Sequence, residues 1–242
     1  MKKRNGIIQQ IFLFALSLTV LTACIGNLNC EKGNEKISKQ ERKISAFSQI
    51  EVSGAYTIIL KQDSVTSVSV EADENLQSMI TTKIEGKKLV IENKKSICGS
   101  IDIIVYVSTP EINTIDISGA VELNATDIIK SEKLGIYVSG AAEIDMNIIC
   151  TTLDLNCSGS GKLTIKGSTD DVDADLSGAS DINAYELATK NFNISSSGAG
   201  KACISVSEIL DVEISGAATV YYKGNPEVTK QISGVGVINK VK

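Results

Sequence analysis

The chain of 242 residues contains no histidine and no tryptophan, has two prolines, and is only 4% aromatic. Arginine occurs at Arg4 and Arg42 alone. Without histidine there is no serine–histidine triad and no histidine-ligated metal, and no arginine is left to act as a base in the body of the chain. Any chemistry must come from carboxylates, lysines, tyrosines and cysteines.

Long apolar runs are also scarce, with one exception at the start. Lys2, Lys3 and Arg4 precede an apolar stretch from Ile11 to Val20, which ends in Leu21-Thr22-Ala23-Cys24. The stretch is too short for an ordinary spanning helix and reads as a lipoprotein signal peptide over residues 1–23. Cys24 is then the lipid attachment site, and its acyl chains provide the membrane contact. Ile25 follows it, so the aspartate associated with inner-membrane retention in some bacteria is absent and outer-membrane placement is expected. Beyond residue 23 the chain holds 21 Lys and Arg against 29 Asp and Glu, net −8, which argues against a nucleic-acid partner.

What the chain has in abundance is a short word, Ser-Gly-Ala or a close variant. Its glycines are Gly119, Gly140, Gly159, Gly178, Gly198, Gly216 and Gly234, at intervals of 21, 19, 19, 20, 18 and 18 residues. A fixed period of this size marks stacked repeats. Within each repeat apolar and polar residues alternate, as in Leu153-Asp154-Leu155-Asn156-Cys157, and a period of two belongs to strands with one buried face. Leu153, Leu155, Cys157, Leu163 and Ile165 are expected to point inward. The glycines are expected to supply backbone angles that a residue with a Cβ resists. Two short strands cannot bury their own apolar face, so the fold class is all-β: a right-handed parallel β-helix, or β-solenoid, with a β-rich N-terminal cap. Seven coils at about 4.8 Å each make a rod ~30 Å long.

The domain plan is a signal peptide at 1–23, a flexible tether at 24–43, a β-rich cap at 44–112 with the first motif at Gly54, and about seven coils over 113–242. Within the cap, 65–70, 80–84, 89–91 and 101–107 are strand-like, Glu85-Gly86-Lys87-Lys88 reads as a hairpin turn, and 73–79 as one helical turn. The last coil leaves strand edges unpaired, so end-on or side-by-side homo-oligomers are expected.

Several surface groups are candidate sites. Asp171, Asp173 and Asp175 lie along one outward strand face and are the calcium candidates, but a solvated face is the preferred reading, because a calcium loop folds around its ion with a glycine at the turn. Three residues past the glycines stand Glu122, Glu143, Lys162, Asp181, Lys201 and Thr219, a vertical column whose charges alternate from Glu143 to Lys201. Such a column disfavours slipped registers and keeps the outside polar; a ligand-binding stripe is the alternative reading. Five past the glycines stand Asn124, Asp145, Thr164, Asn183, Cys203, Tyr221 and Asn239, a mostly polar column. Tyr185, Tyr221 and Tyr222 are the aromatic candidates for stacking on a sugar ring. With Cys24 lipidated, Cys30, Cys98, Cys150, Cys157 and Cys203 are an odd number; Cys30 is read as a tether residue free to stay unpaired, and a disulfide between neighbouring coils is underdetermined. No cofactor and no metal centre are expected.

The Ser-Gly-Ala and Ser-Gly-x-Gly series, the Val107-Ser108-Thr109-Pro110 strand end, the Tyr221-Tyr222-Lys223-Gly224-Asn225-Pro226 segment and the closing Ile232-Ser233-Gly234-Val235-Gly236 resemble the head GIN domain family, whose members are labelled auto-transporter adhesins. The likeness covers roughly residues 45–240. It implies a β-helical domain on secreted or lipid-anchored proteins of Gram-negative bacteria.

The resulting expectation is a lipid-anchored envelope protein whose rod has a structural or adhesive, non-catalytic role toward a glycan or protein. Two alternatives stand beside it. One is a carbohydrate-active enzyme, a lyase or hydrolase using surface carboxylates, which the fold class permits. The other is a periplasm-facing assembly or sensing lipoprotein.

Overall fold

In a computed structural model, residues 30–98 and 102–241 are described. The signal peptide and Cys24 lie outside them. The chain builds eighteen strands and a single 3-10 turn among these residues. Ten strands come first: β1 (Glu31–Lys32), β2 (Ile37–Arg42), β3 (Gln49–Ser53), β4 (Ala55–Gln62), β5 (Ser67–Asp73), β6 (Ile80–Glu85), β7 (Lys88–Asn93), β8 (Ile97–Cys98), β9 (Ile104–Thr109) and β10 (Thr114–Ile117). The repeats follow as β11 (Ala120–Val138), β12 (Ala141–Cys157), β13 (Ser160–Leu176), β14 (Ala179–Ser196), β15 (Ala199–Ile214), β16 (Ala217–Lys223), β17 (Glu227–Ile232) and β18 (Val237–Lys240).

Each of β11 to β15 runs through one coil and pairs in parallel with the next, so the chain is a β-solenoid of about seven turns. The alternation seen in the sequence becomes the burial pattern. Leu153, Leu155, Cys157, Leu163 and Ile165 are all buried, and they join one continuous core with Ile144, Met146, Val172, Ile182, Phe192, Ile194, Leu210 and Val212. Each such aliphatic side chain contributes roughly 1.5–3 kcal/mol on burial, and none could be shielded by its own coil.

The motif glycines align coil on coil for a reason different from the expected one. Of the eight, only Gly54 has a positive φ, 136°. What forbids a side chain is proximity. A Cβ on Gly140 would lie 2.0 Å from the oxygen of Gly119, and one on Gly178 would lie 1.8 Å from the oxygen of Gly159. That oxygen accepts from the residue after the next glycine, as in Ala141 N to Gly119 O at 2.8 Å and Ala179 N to Gly159 O at 2.9 Å. The column is thus a hydrogen-bonded spine in which backbone packs on backbone.

The opposite corner has its own column, which the sequence reading missed. Ser131, Cys150 and Thr169 follow one another in register, with Thr189 next. Thr169 Oγ1 donates toward Thr151 O, Thr189 Oγ1 to Ser205 O, and Ser131 Oγ to Lys133 O. These buried or part-buried hydroxyls satisfy carbonyls where the chain bends.

The segment expected as a cap belongs to the stack itself. Gln49–Val52 pair in register with Thr114–Ile117, and Ala55–Leu60 with Ala120–Ala125, so Gly54 starts the first coil. Below that coil the sheets continue as β7 and β6 on one side and β9, β5 and β2 on the other, antiparallel at the end. The β6–β7 hairpin turns at Gly86-Lys87 with Gly86 at φ 65°. The expected helical turn is the 3-10 turn Glu74–Leu76, and buried Leu76 plugs this end of the core. Gln77 knits it together: Nε2 donates to Ser38 O and Val70 O, and Oε1 accepts from Arg42.

Two expectations are corrected here. The tether does not reach residue 43, because Ile37–Arg42 form β2 against β5, where Arg42 serves the closure. Cys30 is not free; it forms a disulfide with Cys98 across a separation of 68 residues. The N-terminal strands lengthen the stack beyond its coils. One side stacks β2, β5, β9, β4, β11, β12, β13, β14, β15, β16 and β18, ten steps of about 4.8 Å, or ~48 Å. At the far end Lys230 stands in register with buried Val212, and Lys240 with Tyr222. Inward-register charges there disfavour further strand stacking.

Candidate functional site

A trough of about 810 Å³ runs along the rod beside the glycine spine. Its floor is the residue after each glycine, Ala55, Ala120, Ala141, Ser160, Ala179 and Ala199, stacked in one row. The next row begins with Tyr56 and Val121 and is small from there on: Ala142, Gly161, Ser180 and Gly200. Gly161 has no room for a Cβ, which would meet Leu163 Cδ1 at 2.7 Å and Cys157 Sγ at 2.8 Å. Tight corners therefore demand small residues, and small residues in two adjacent rows leave the surface concave. Six coils contribute, so the trough is about 24 Å long.

The wall is the charged column read from the sequence. Glu122, Glu143, Lys162, Asp181 and Lys201 line the trough in register. Lys162 Nζ sits 2.6 Å from Glu143 Oε1, and that bond, reinforced by the Glu143 charge, raises the lysine above its ordinary pKa. Lys201 instead lies over the Tyr221 ring, 5.5 Å from its centroid. Asp102 also lines the trough, so its charges sum to −2, a modest negative balance spread along its length.

At its C-terminal end the trough adjoins a smaller pocket of about 310 Å³ that shares Lys162, Asp181 and Lys201 and adds Asn183, Tyr185 and Cys203. The register shift between Ala184 and Ala188 inserts Tyr185 as part of a bulge. Desolvation first, then the neighbouring Cys203 thiol, pushes the Tyr185 pKa up to about 12. Cys203 belongs to the outward column with Asn183 and Tyr221, yet it is only 5% exposed. Lys223 Nζ stands 4.4 Å from the Tyr185 centroid, so lysines already occupy a face of both rings.

The aromatic candidates separate accordingly. Tyr185 and Tyr221 come together at the trough's end. Tyr222 does not join them, since it stands in register with buried Ile204 and packs against the core. The aspartates Asp171, Asp173 and Asp175 lie on a different side of the coil, along a ladder. Asn191 Nδ2 donates to Asp171 Oδ1 at 2.8 Å and Asn193 Nδ2 to Asp173 Oδ1 at 3.1 Å. Asp171 and Asp173 thus accept coil-to-coil hydrogen bonds, and among the described residues no three acidic or thiol groups gather to hold an ion.

The spine, the stacked coils and the trough over residues 55–201 coincide with the match to a family model described as "Putative auto-transporter adhesin, head GIN domain", which spans residues 46–226. The chain belongs to this family. Solved structures of similar fold include a putative adhesin of Bacteroides fragilis NCTC 9343, at TM-score 0.82 and 20% identity over 87% of this chain and 100% of that one. A putative lipid binding protein of Parabacteroides distasonis ATCC 8503 matches at TM-score 0.72 and 24% identity, covering 88% of this chain and 100% of that one. A putative adhesin of Parabacteroides merdae ATCC 43184 matches at 0.68 and 22%, over 88% and 99%. These identities speak for the fold. No curated protein matches the sequence.

Proposed function

We propose that the chain is a lipid-anchored envelope protein of the outer membrane that binds without turnover, and that the trough is its binding face for an extended, uncharged polar polymer, a glycan strand. The observation that carries this is the trough itself, continuous over six coils and walled from Glu143 to Lys201 by carboxylates and ammonium groups in alternation. Such a wall offers acceptors and donors along its length, while its small net charge gives little attraction for a polyion. A stiff solenoid presents that face at a distance from a surface. The adhesin description of the family and the names of its structural neighbours support a surface-binding role. The lipobox at Leu21–Cys24 supports the anchor.

The test is binding of the purified protein to immobilised envelope and host glycans, with extended peptides as the second arm. Glycan binding that is lost in Lys201→Ala and Asp181→Ala, with unchanged melting, supports the proposal. Binding of peptides alone, or glycan binding indifferent to both substitutions, overturns it.

A further inference from the structure

The first described residues form a strap across the closed N-terminal end of the rod. Cys30 is bonded to Cys98, and Glu31–Lys32 pair with Ile97–Cys98. Asn75, in the 3-10 turn that plugs the core, holds the strap from the other side: its Nδ2 donates to Lys32 O at 2.8 Å and its Oδ1 accepts from Asn34 N at 3.0 Å. Lys36 O accepts from Glu74 N at 2.7 Å. Only then does the chain enter β2.

The strap fixes how far the rod can stand from a lipid on Cys24. Six Cα–Cα steps separate Cys24 from Cys30, so covalent geometry limits the span to about 22 Å. Without the strap, the next fixed point is Ile37, paired with Asp73, and thirteen steps allow about 47 Å. The end in question is also the one an anionic headgroup layer tolerates. Lys32, Lys36, Lys94 and Lys95 are interspersed there with Glu31, Glu35 and Glu74, on a chain that is otherwise net acidic, and Ile37 is 73% exposed beside them.

We propose that this strapped end is a membrane-facing surface: the Cys30–Cys98 bond and Asn75 hold the first strands against the headgroups, and the coils project outward. The inference rests on the lipid anchor proposed above. It sets the orientation of the trough, whose long axis then runs away from the bilayer with its Ala55 end near the membrane and its Lys201 end far from it.

The experiment uses the full lipidated chain in phosphatidylcholine vesicles carrying a headgroup-attached acceptor dye, with a donor on Lys95→Cys or Lys230→Cys. Cys150, Cys157 and Cys203 are buried and Cys30 and Cys98 are bonded, so the introduced thiol takes the label. Transfer several-fold stronger from position 95 than from position 230 is expected. Equal or reversed transfer overturns the orientation. In Cys30→Ser/Cys98→Ser/Asn75→Ala, transfer from position 95 should fall by half or more while circular dichroism still shows the folded sheet. Unchanged transfer from a folded variant overturns the role of the strap; an unfolded variant moves that comparison to Asn75→Ala alone, read in the same way. Flotation with the vesicles reports the anchor separately: protein that stays at the bottom of the gradient refutes lipidation, whereas protein that floats with equal transfer refutes only the orientation.

Discussion

The carbonyl oxygen of Gly140 lies 2.0 Å from the point where a Cβ on Gly159 would sit. The same backbone-on-backbone approach recurs from Gly119 to Gly234, so the glycine column is a steric requirement of stacking. Gly159→Ala must push two coils apart or break the Ser160 N to Gly140 O bond of 2.8 Å. The expected cost is ~3 kcal/mol or more, at the upper end for overpacked sites. Gly86→Ala, where nothing lies within 4 Å but φ is 65°, should cost only about 1 kcal/mol. Urea unfolding followed by circular dichroism ranks the two; equal losses would refute the steric explanation.

That contrast also shows how much of the molecule was legible beforehand. The period of Gly119 to Gly234 and the alternation around Leu153 and Leu155 identify parallel stacking, because any residue set that is small at one corner and apolar at every second position must stack to hide its core. The reason for the glycines was not legible, since close approach between coils is a contact across some twenty residues. Thr169 and Thr189 escaped notice for a related reason: their hydroxyls bond to carbonyls where Gly167 and Gly224 stand alone, without the recurring glycine that marks the other corner in every coil. The column Glu143, Lys162, Asp181, Lys201 was readable by counting from the glycines, but the hollow beside it was not. It arises from two adjacent rows of small residues seen together. Cys30 misled because its partner lies 68 residues away, beyond any local pattern.

A carboxylate within the first coils should make stability depend on pH in an unusual direction. Asp116 stands beside Glu51 in the ladder, and burial first, then the Glu51 charge, raise its pKa, while Lys88 acts in the opposite sense. A raised folded-state value means the protonated form is preferred. This contribution is therefore fully present below the ordinary carboxylate value and is lost as pH rises through the raised one. Asp116→Asn should melt higher than the parent at neutral pH, with the advantage vanishing near pH 3. Thermal scans at the two pH values check it, and a destabilised variant at pH 7 would show that the aspartate makes a compensating bond.

Three thiols lie within the solenoid and should be inert in the folded protein. Cys150 and Cys157 are buried, and desolvation raises both above the ordinary thiol value; for Cys150 the Thr169 hydrogen bond works against that shift. Cys203 is buried beside Tyr185. Since the thiolate is the reactive form, iodoacetamide at pH 8 should modify none of the three in the native state and all of them in denaturant. Tyr185→Ala should expose Cys203 selectively. Mass mapping of alkylated peptides reads the result, and labelling of Cys150 or Cys157 at a comparable rate would indicate that the coils open together.

The trough predicts a substitution that blocks binding while leaving the fold in place. Ala141 and Ala179 are exposed floor residues between the spine and the charged wall, so a larger side chain there projects into the hollow and not into the core. Ala179→Trp fills the middle of the trough beside Asp181 without touching the buried row of Ile182. Its melting temperature should stay within a few degrees of the parent, because surface changes away from packed or capped positions typically alter stability by no more than about 0.5 kcal/mol. Affinity for a bound glycan should fall at least tenfold. The same replacement at Asn193, on the far ladder, should leave affinity unchanged even though it removes the bond to Asp173. Loss of binding at Asn193 and not at Ala179 would move the binding face to the aspartate ladder and leave the trough as a by-product of tight corners.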